Sequence, residues 1–398
     1  MLRKIKVMLC ICLASSLIAT GGCWDMREIN EIGLVTAVGI DKAAKPYRYS
    51  VTIQIANPNV SNSSSTQGSS VWIATEEGDS IFDATRKLVG ISSRRIMWAH
   101  NNVVIIGESL AREGIIPVID YFTHQPELRM KAAVVVSKGD AKDYVAARAG
   151  MENPTGISFI LLEGYRALSA ESVESHMLDV ASELANKYEN PLISEISLKR
   201  AILQSKDSQP TGGKYAETID MRGAAVFKKD RMLGWLTPKE TLGAAWILNQ
   251  TKDTVVTVID PEHGNKSVSV ETRNVKAKIK ASVTDGMPNI SINISGDGDI
   301  AEEGGVTGQG INEIKEHVAD LVNQTIEKEI RDSLGVIQNK YMVDVLGLAM
   351  IVHVQNDREW ESGLKDRWQE VFPIIPVSVS VDIKIRSSKL KQQPIRIF

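Results

Sequence analysis

LVTAVGID (residues 34–41) and YRYSVTIQI (residues 47–55) decide the fold class. In the second stretch Tyr47, Tyr49, Val51, Ile53 and Ile55 alternate with Arg48, Ser50, Thr52 and Gln54. That period of two lays one face of a strand on a core. Lys42 to Pro46 is the turn between the two strands. Past them, NPNVSNSSSTQGSS (57–70) reads as a Ser/Asn-rich surface loop. Val71–Thr75 returns to strand. Gly78-Asp79-Ser80 then opens a helix, with Asp79 or Ser80 as its N-cap and Ile81, Ala84, Thr85 and Leu88 at helical spacing. Strand and helix therefore alternate from the start, the pattern of an α+β chain with mixed sheets.

The same alternation continues. Val103–Ile106 and Lys131–Ser137 read as strands, Ser109–Arg112 and Ile115–Phe122 as helices. Residues 139–190 are mainly helical, with breaks at Asn153-Pro154 and Asn190-Pro191. QSKDSQPTGGKYAET (204–218) is the best boundary in the chain. Beyond it, Gly223–Phe227 and Met232–Leu236 predict a hairpin around Lys229-Asp230. A longer hairpin runs Val275, Ala277, Ile279, Ala281, Val283 against Ile290, Ile292, Ile294, turning at Asp285-Gly286. Residues 310–334 carry one apolar stripe from Ile311 to Leu334, and a second helix is expected over 337–346. Asp357–Phe372 is expected to be helical, placing Trp360, Leu364 and Trp368 in the core. Val377 to Arg386 alternates again and predicts a half-buried strand. The expected fold is thus multi-domain mixed α/β, of two to three domains, with mixed and antiparallel sheets packed with helices.

Residues 1–22 stand apart from that fold. Arg3, Lys4 and Lys6 precede an apolar run from Val7 to Ile18, then Ala19, Thr20, Gly21 and Gly22, the layout of a secretory signal. The run is shorter than the ~20 residues a bilayer span needs, and no later segment reaches that length. No transmembrane helix is therefore expected in the mature chain. Cys23 follows directly, as in a bacterial lipobox, although Thr20 stands where Leu is usual. In that reading the signal is cut before Cys23 and the Cys23 sulfur carries a diacylglyceryl group with palmitate-type chains. The alternative is a soluble secreted protein cut near residue 22. Three cysteines occur in all. Cys10 and Cys12 would leave with the signal, and acylation would explain a single remaining thiol in an exported chain.

The chain has 398 residues, 46 Lys+Arg, 49 Asp+Glu and a net charge of −3. Such balance argues against nucleic acid as a partner. Loss of the three basic residues of the signal takes the net charge from −3 to −6, so an anchor rather than surface charge would hold the protein to anionic lipid. Aromatic residues are 5 %, too few for an extended stacking platform. The sequence contains no Walker loop, GxGxxG, GxSxG or HExxH. The histidines (100, 124, 176, 263, 317 and 353) show no ligand spacing. His100 and His124 could line a pocket, though turn-capping is the commoner role. Glu76-Glu77 and Glu302-Glu303 read as solvated turn residues rather than an acid/base pair. The sequence therefore points to no catalytic, metal or cofactor residues, apart from the covalent lipid on Cys23.

Several of these segments, in order, resemble one family. Cys23-Trp24-Asp25, Arg27 to Asn30 and Val38-Gly39-Ile40-Asp41-Lys42 are followed by Gly78-Asp79-Ser80, Ser93-Arg94-Arg95 and Ala99-His100. Then come Val104 to Glu108, Leu110-Ala111-Arg112-Glu113-Gly114 and Glu127-Leu128-Arg129. In the second half the match includes Gly223 to Lys228, Gly234-Trp235-Leu236, Glu240, Asp344 to Gly347 and the pair Trp360 and Trp368. Together they are similar to the Ger(x)C family, the lipoprotein C subunits of spore germination receptors. The departures are His124-Gln125-Pro126 and Arg386-Ser387-Ser388.

The resemblance implies a fold of three mixed α/β domains and a non-enzymatic subunit. It implies tethering through Cys23 on the outer face of the spore inner membrane. It also implies two integral membrane partners, an A subunit and a multispanning B subunit, in a complex that responds to nutrients and starts germination. Whether this subunit itself touches nutrient stays open. The boundaries read are 1–22 signal, 23–205 N-terminal α/β domain, 206–250 linker and small middle region, 251–388 C-terminal α/β domain and 389–398 flexible tail. The loop 57–70 and the segment 94–102, with Arg94 and Arg95, are candidate partner surfaces. Two other functions compete with the receptor subunit: a lipid-anchored extracytoplasmic small-molecule-binding protein, and an envelope hydrolase.

Overall fold

The computed structural model describes residues 3–6, 8, 31–56, 71–147, 155–201, 216–251, 253–262, 264–303 and 311–388. Cys23, most of the signal segment, the loop 57–70 and the tail 389–398 lie outside the described residues. Two sheets organise the rest.

The first sheet forms around runs of β-branched residues. Its strands are β1 (Ile32–Lys42), β2 (Tyr49–Ala56), β3 (Val71–Gly78), β4 (Arg95–Met97), β5 (Val103–Gly107), β6 (Ala133–Ser137), β7 (Leu192–Ala201), β8 (Ala216–Asp220), β9 (Ala224–Lys228) and β10 (Arg231–Leu236). The order is β10-β9-β7-β6-β5-β1-β2-β3, with β4 added on β1 and β8 on β7. The centre is parallel, β1 to β5 to β6 to β7, and the flanks are antiparallel. Central parallel strands need helices on both faces. Accordingly every residue of β5 (VVIIG) and β6 (AVVVS) is buried.

On one face, Val38, Ile40, Val104, Ile106, Val134 and Val136 pack with α1 (Ile81–Ile91), which lies beyond β3, and with α2 (Glu108–Glu113) and α3 (Ile116–Thr123). On the other, Ala37, Val103, Ile105 and Val135 meet α4 (Ala141–Ala146) and α5 (Thr155–Ser169). A further helix, α6 (Met177–Ala185), leads into β7.

Strand β2 departs from the expected half-buried pattern: its polar face is buried too. The reason is a hydrogen-bond chain beneath α4 and α5. Gln54 Nε2 donates to the Val145 carbonyl (2.9 Å) and to Thr155 Oγ1 (3.0 Å), and Thr36 Oγ1 donates to Gln54 Oε1 (3.0 Å). With its amide satisfied, Gln54 can be buried at little cost. The pair Glu76-Glu77, expected in a turn, lies instead on β3, and Glu302-Glu303 closes the last strand of the second sheet's hairpin.

The second sheet has the order β11 (Val255–Asp260), β12 (Lys266–Thr284), β13 (Met287–Glu303), β14 (Val377–Ser388). The β12–β13 hairpin turns at Asp285-Gly286 as the alternation predicts, and β14 joins β13 in parallel. Its inner face packs against α7 (Pro238–Ile247), α8 (Ile311–Gly335), α9 (Leu348–Gln355) and α10 (Lys365–Val371). Thr237 caps α7 with a reciprocal Glu240 box.

Of the second helix expected over 337–346, only 337–341 is helical, and it continues α8. A wide turn, Val336–Tyr341, ends at Met342 in the left-handed region (φ 54°). The Asp344 carboxylate then takes the amides of Leu346, Leu348 and Ala349 and starts α9 instead. Likewise 357–372 is broken at Gly363 (φ 149°), yet Trp360, Leu364 and Trp368 are all in the core.

Among the described residues, β12 has no strand partner on its outer side beyond Thr272, and side-chain amides close that edge. Asn249 Oδ1 accepts from Ala277 N (2.6 Å) and Gln355 Oε1 from Ala281 N (2.8 Å). Asn249 Nδ2, Gln355 Nε2 and Asn356 Nδ2 donate to the carbonyls of Ala277, Ile279 and Ala281. The segment 206–250 supplies β8, β9 and β10 to the first sheet and α7 to the second core.

Candidate functional site

The parallel strands β1, β5 and β6 end together, bringing Asp41-Lys42, Gly107-Glu108 and Ser137–Asp140 to one edge. In open α/β sheets, ligands meet the fold at this carboxyl edge. Asp41 is buried and accepts from the amides of Ala141 (2.6 Å) and Lys142 (2.9 Å) at the start of α4. Burial raises its pKa, and the two amides oppose that rise. It therefore braces a helix end rather than offering a free base.

Beside it, Lys42 pairs with Glu113 (2.6 Å) and Arg112 with Glu108 (2.7 Å). The Asp230 carbonyl accepts from Ile115 N (2.9 Å). Lys42, Tyr47, Arg48, Glu113, Pro117 and Asp230 line a cleft of about 800 Å³. Further along the edge, Lys138 Nζ is 2.7 Å from Glu195 and lies over the Trp235 ring (5.5 Å). Burial raises the pKa of Glu195, with Lys138 opposing. Burial also pushes Tyr144, which donates to the Lys138 carbonyl (2.8 Å), up to about 12.

The opposite end of β1 carries the segment 94–102. Ile32 pairs with Arg95, so β4 fixes Arg95 beside α3. Arg95 Nη2 donates to Glu127 Oε1 (3.0 Å), while Glu127 Oε2 accepts from Trp98 N (3.3 Å). Ser80 caps α1, its Oγ accepting from Asp83 N (3.0 Å). That helix turns Phe82 and Val89 outward, with Arg86 stacked over Phe82 (4.9 Å). Arg95, Trp98, Tyr121 and Glu127 complete a groove of about 580 Å³ with them. His124 bonds the Asp120 carbonyl (2.8 Å) outside that lining, and His100 is exposed in the turn after β4. Gln125 and Pro126, from the segment that departs from the family pattern, do line it.

The other described histidines lie against carboxylates. His176 faces Glu163 (3.0 Å), Glu174 (3.5 Å) and Asp179 (3.4 Å), and the bond to Glu163 raises its pKa. His317 approaches the buried Asp260 (3.1 Å). His353, Asp357 and Glu361 come together on one helical face, but Lys365 holds Glu361 (2.6 Å) and His353 stacks on Trp360 (5.4 Å). His263 and Cys23 lie outside the described residues.

The two grooves carry the ion pairs Lys42–Glu113 and Arg95–Glu127, and at the second Phe82 and Val89 face outward. That is the chemistry of a docking surface with complementary charge. The sequence marks Asp41, Lys42, Glu113, Arg95 and Glu127 only as members of separate family segments, with Arg95 also in the candidate surface 94–102; the structure joins Arg95 to Glu127. It missed the joining of Lys138, Glu195 and Trp235, which no local spacing announces.

Residues 25–198 match the family described as "Spore germination protein N-terminal domain", and residues 222–389 match "Spore germination B3/ GerAC like, C-terminal". The chain is similar over 98 % of both lengths to "Spore germination protein KC" of Bacillus subtilis (strain 168), at 28 % identity. "Putative spore germination protein YfkR" of the same organism is 27 % identical over 89 % of this chain and 92 % of its own. Neither name carries an enzyme activity. A solved structure, "Crystal Structure of the GerBC protein", shares the fold with a TM-score of 0.56 at 18 % identity, covering 88 % of this chain and 96 % of that one. Both halves of the sequence, the order of its motifs and its fold thus converge: the chain belongs to the Ger(x)C family of spore germination proteins.

Proposed function

We propose that this protein is the lipid-anchored C subunit of a spore nutrient germinant receptor. It acts with integral membrane A and B subunits on the outer face of the spore inner membrane. The observation that carries the reading is the match of both family halves in one chain, 25–198 and 222–389. Two further facts support it. No helix among the described residues is long and apolar enough to cross a membrane, so attachment needs another device. Cys23 after a signal-like segment supplies one, since two acyl chains hold a protein firmly where one does not. The paired charges around Arg95–Glu127 and Lys42–Glu113 suit docking to partner subunits.

The test is nutrient-triggered dipicolinate release from spores lacking the chain, over a nutrient panel. Response to one nutrient set is expected to disappear while a non-nutrient trigger still works. Restoring the chain with Cys23→Ala is expected not to rescue it. Unchanged release across the panel would sink the receptor reading. Saturable binding of single nutrients by the isolated chain would instead favour an anchored small-molecule binder.

A further inference from the structure

Helix α5 presents an apolar face to solvent. Ile157, Ile160, Leu161, Tyr165 and Leu168 are all exposed, Tyr165 at 66 % and Leu168 at 52 %. At 3.6 residues per turn these five and Gly164 fall within one arc of about 140°. That arc holds no charged residue. The charges of α5 point elsewhere: Arg166 is buried, donating to the Ser172 carbonyl (3.3 Å) and to Glu174 (3.2 Å), and Glu163 pairs with His176. Phe159 and Ser158 fill the inner face. The helix thus spends its polar and aromatic inner side on the fold and leaves its aliphatic side uncovered, the reverse of an ordinary surface helix.

We infer that this face of α5 lies on the lipid bilayer, as a second membrane contact beside the acyl anchor. The inference rests on the anchored reading above. Three observations choose a bilayer over a protein partner or a second copy. First, protein interfaces carry a polar rim, whereas this arc offers only the Tyr165 hydroxyl, at its margin, where interfacial tyrosines sit. Second, the chain between Cys23 and β1 is long enough to let the arc reach the surface that holds the anchor. Thr155, the first residue of α5, is bonded to Gln54, which is bonded to Thr36 of β1. The chain from Cys23 to Thr36 spans at most about 45 Å, and α5 is about 22 Å long. Third, the protein is acidic, so attraction to anionic headgroups cannot hold the domain down, whereas an uncharged face needs no such attraction.

The test places the full lipid-bearing chain on vesicles of equal parts phosphatidylglycerol and phosphatidylcholine. An environment-sensitive dye goes on the Leu161→Cys variant, whose new thiol is the free one once Cys23 is acylated. Blue-shifted emission and quenching by spin-labelled lipid are expected, at low and high salt alike. A dye on Asp120→Cys, exposed on α3 across the first sheet from α5, is expected to show neither. Identical behaviour of the two dyes would overturn the inference.

A second arm uses residues 23–398 with Cys23→Ala. Adding Ile160→Ser, Leu161→Ser and Leu168→Ser is expected to lower vesicle sedimentation roughly tenfold or more, with Tm unchanged. No sedimentation of the parent also overturns it, and so does a parent dimer that the triple variant dissolves. The mass of the thioether adduct at Cys23 in the native chain reports on the anchor separately. Docking can therefore fail while the anchored reading stands, and the reverse.

Discussion

Asp344 and Glu183 are carboxyl groups that burial keeps protonated to higher pH than usual. Asp344 sits at about 6, raised by its burial against the pull of three backbone amides and the Trp368 indole. Glu183 sits at about 8, raised by burial and then by Glu189 and Asp179. Both folded values lie above those of an unfolded chain, near 4. Between about pH 4 and pH 8 the folded state therefore binds more protons, and these two groups lose their stabilising contribution as pH rises. Denaturant titrations at pH 5 and pH 8 are expected to show the higher midpoint at pH 5 for this part of the balance. Glu183→Gln is expected to flatten the slope, adding on the order of 1–3 kcal/mol at pH 8 and nearly nothing at pH 4.5. Asp344→Ala leaves the amides of Leu346, Leu348 and Ala349 without their acceptor and is expected to cost roughly 2–5 kcal/mol, read as a lowered urea midpoint. Sequence alone marked Asp344 as part of a family segment but could not show that its oxygens replace a helix: that needs the turn at Met342.

At the scale of elements, legibility followed one-sidedness. The hairpin β12–β13, strand β14 and helix α8 each bury a single face, so their periods of two and 3.6 are written in the residues. No periodicity in the sequence assigns strand β7 (LISEISLKRA) after the break at Asn190-Pro191. Its register is fixed by three neighbours far apart in the chain, β6, β8 and β9, and by no pattern of its own. The pairing of α7 with α8 was likewise invisible. It turns on Gly243, where a Cβ would collide with the Glu329 carbonyl and stand 2.6 Å from Ser333 Cβ. The close approach lets Trp246 Nε1 donate to Glu329 (3.0 Å) from a fully buried position. Gly243→Ala should force the two helices apart at about 1–3 kcal/mol, measured by calorimetry, and Gly243→Val should cost more.

Across the whole molecule, the second core draws Leu192, Ala224, Val226 and Leu236 from the first sheet, so the sheets share buried surface. Tyr341 donates to the Trp235 carbonyl (2.7 Å) and Asn190 to the Asp344 carbonyl (3.0 Å), tying the same seam. One cooperative thermal transition is expected, and Tyr341→Ala combined with Asn190→Ala is expected to split or broaden it. The seam could not be read from composition, because the Ser/Pro/Gly-rich stretch before it has the look of a linker while the strands just after it complete the first sheet. One feature of the second sheet acts beyond the single chain. Molecules confined to a membrane surface meet their own copies far more often than in bulk, and an open strand edge would then add copy after copy into a ribbon. The amides of Asn249, Gln355 and Asn356 occupy that edge of β12, and Lys276, Lys278 and Lys280 stand exposed along it. A crowded patch of these proteins can therefore stay a population of separate, exchangeable units rather than setting into a fibre.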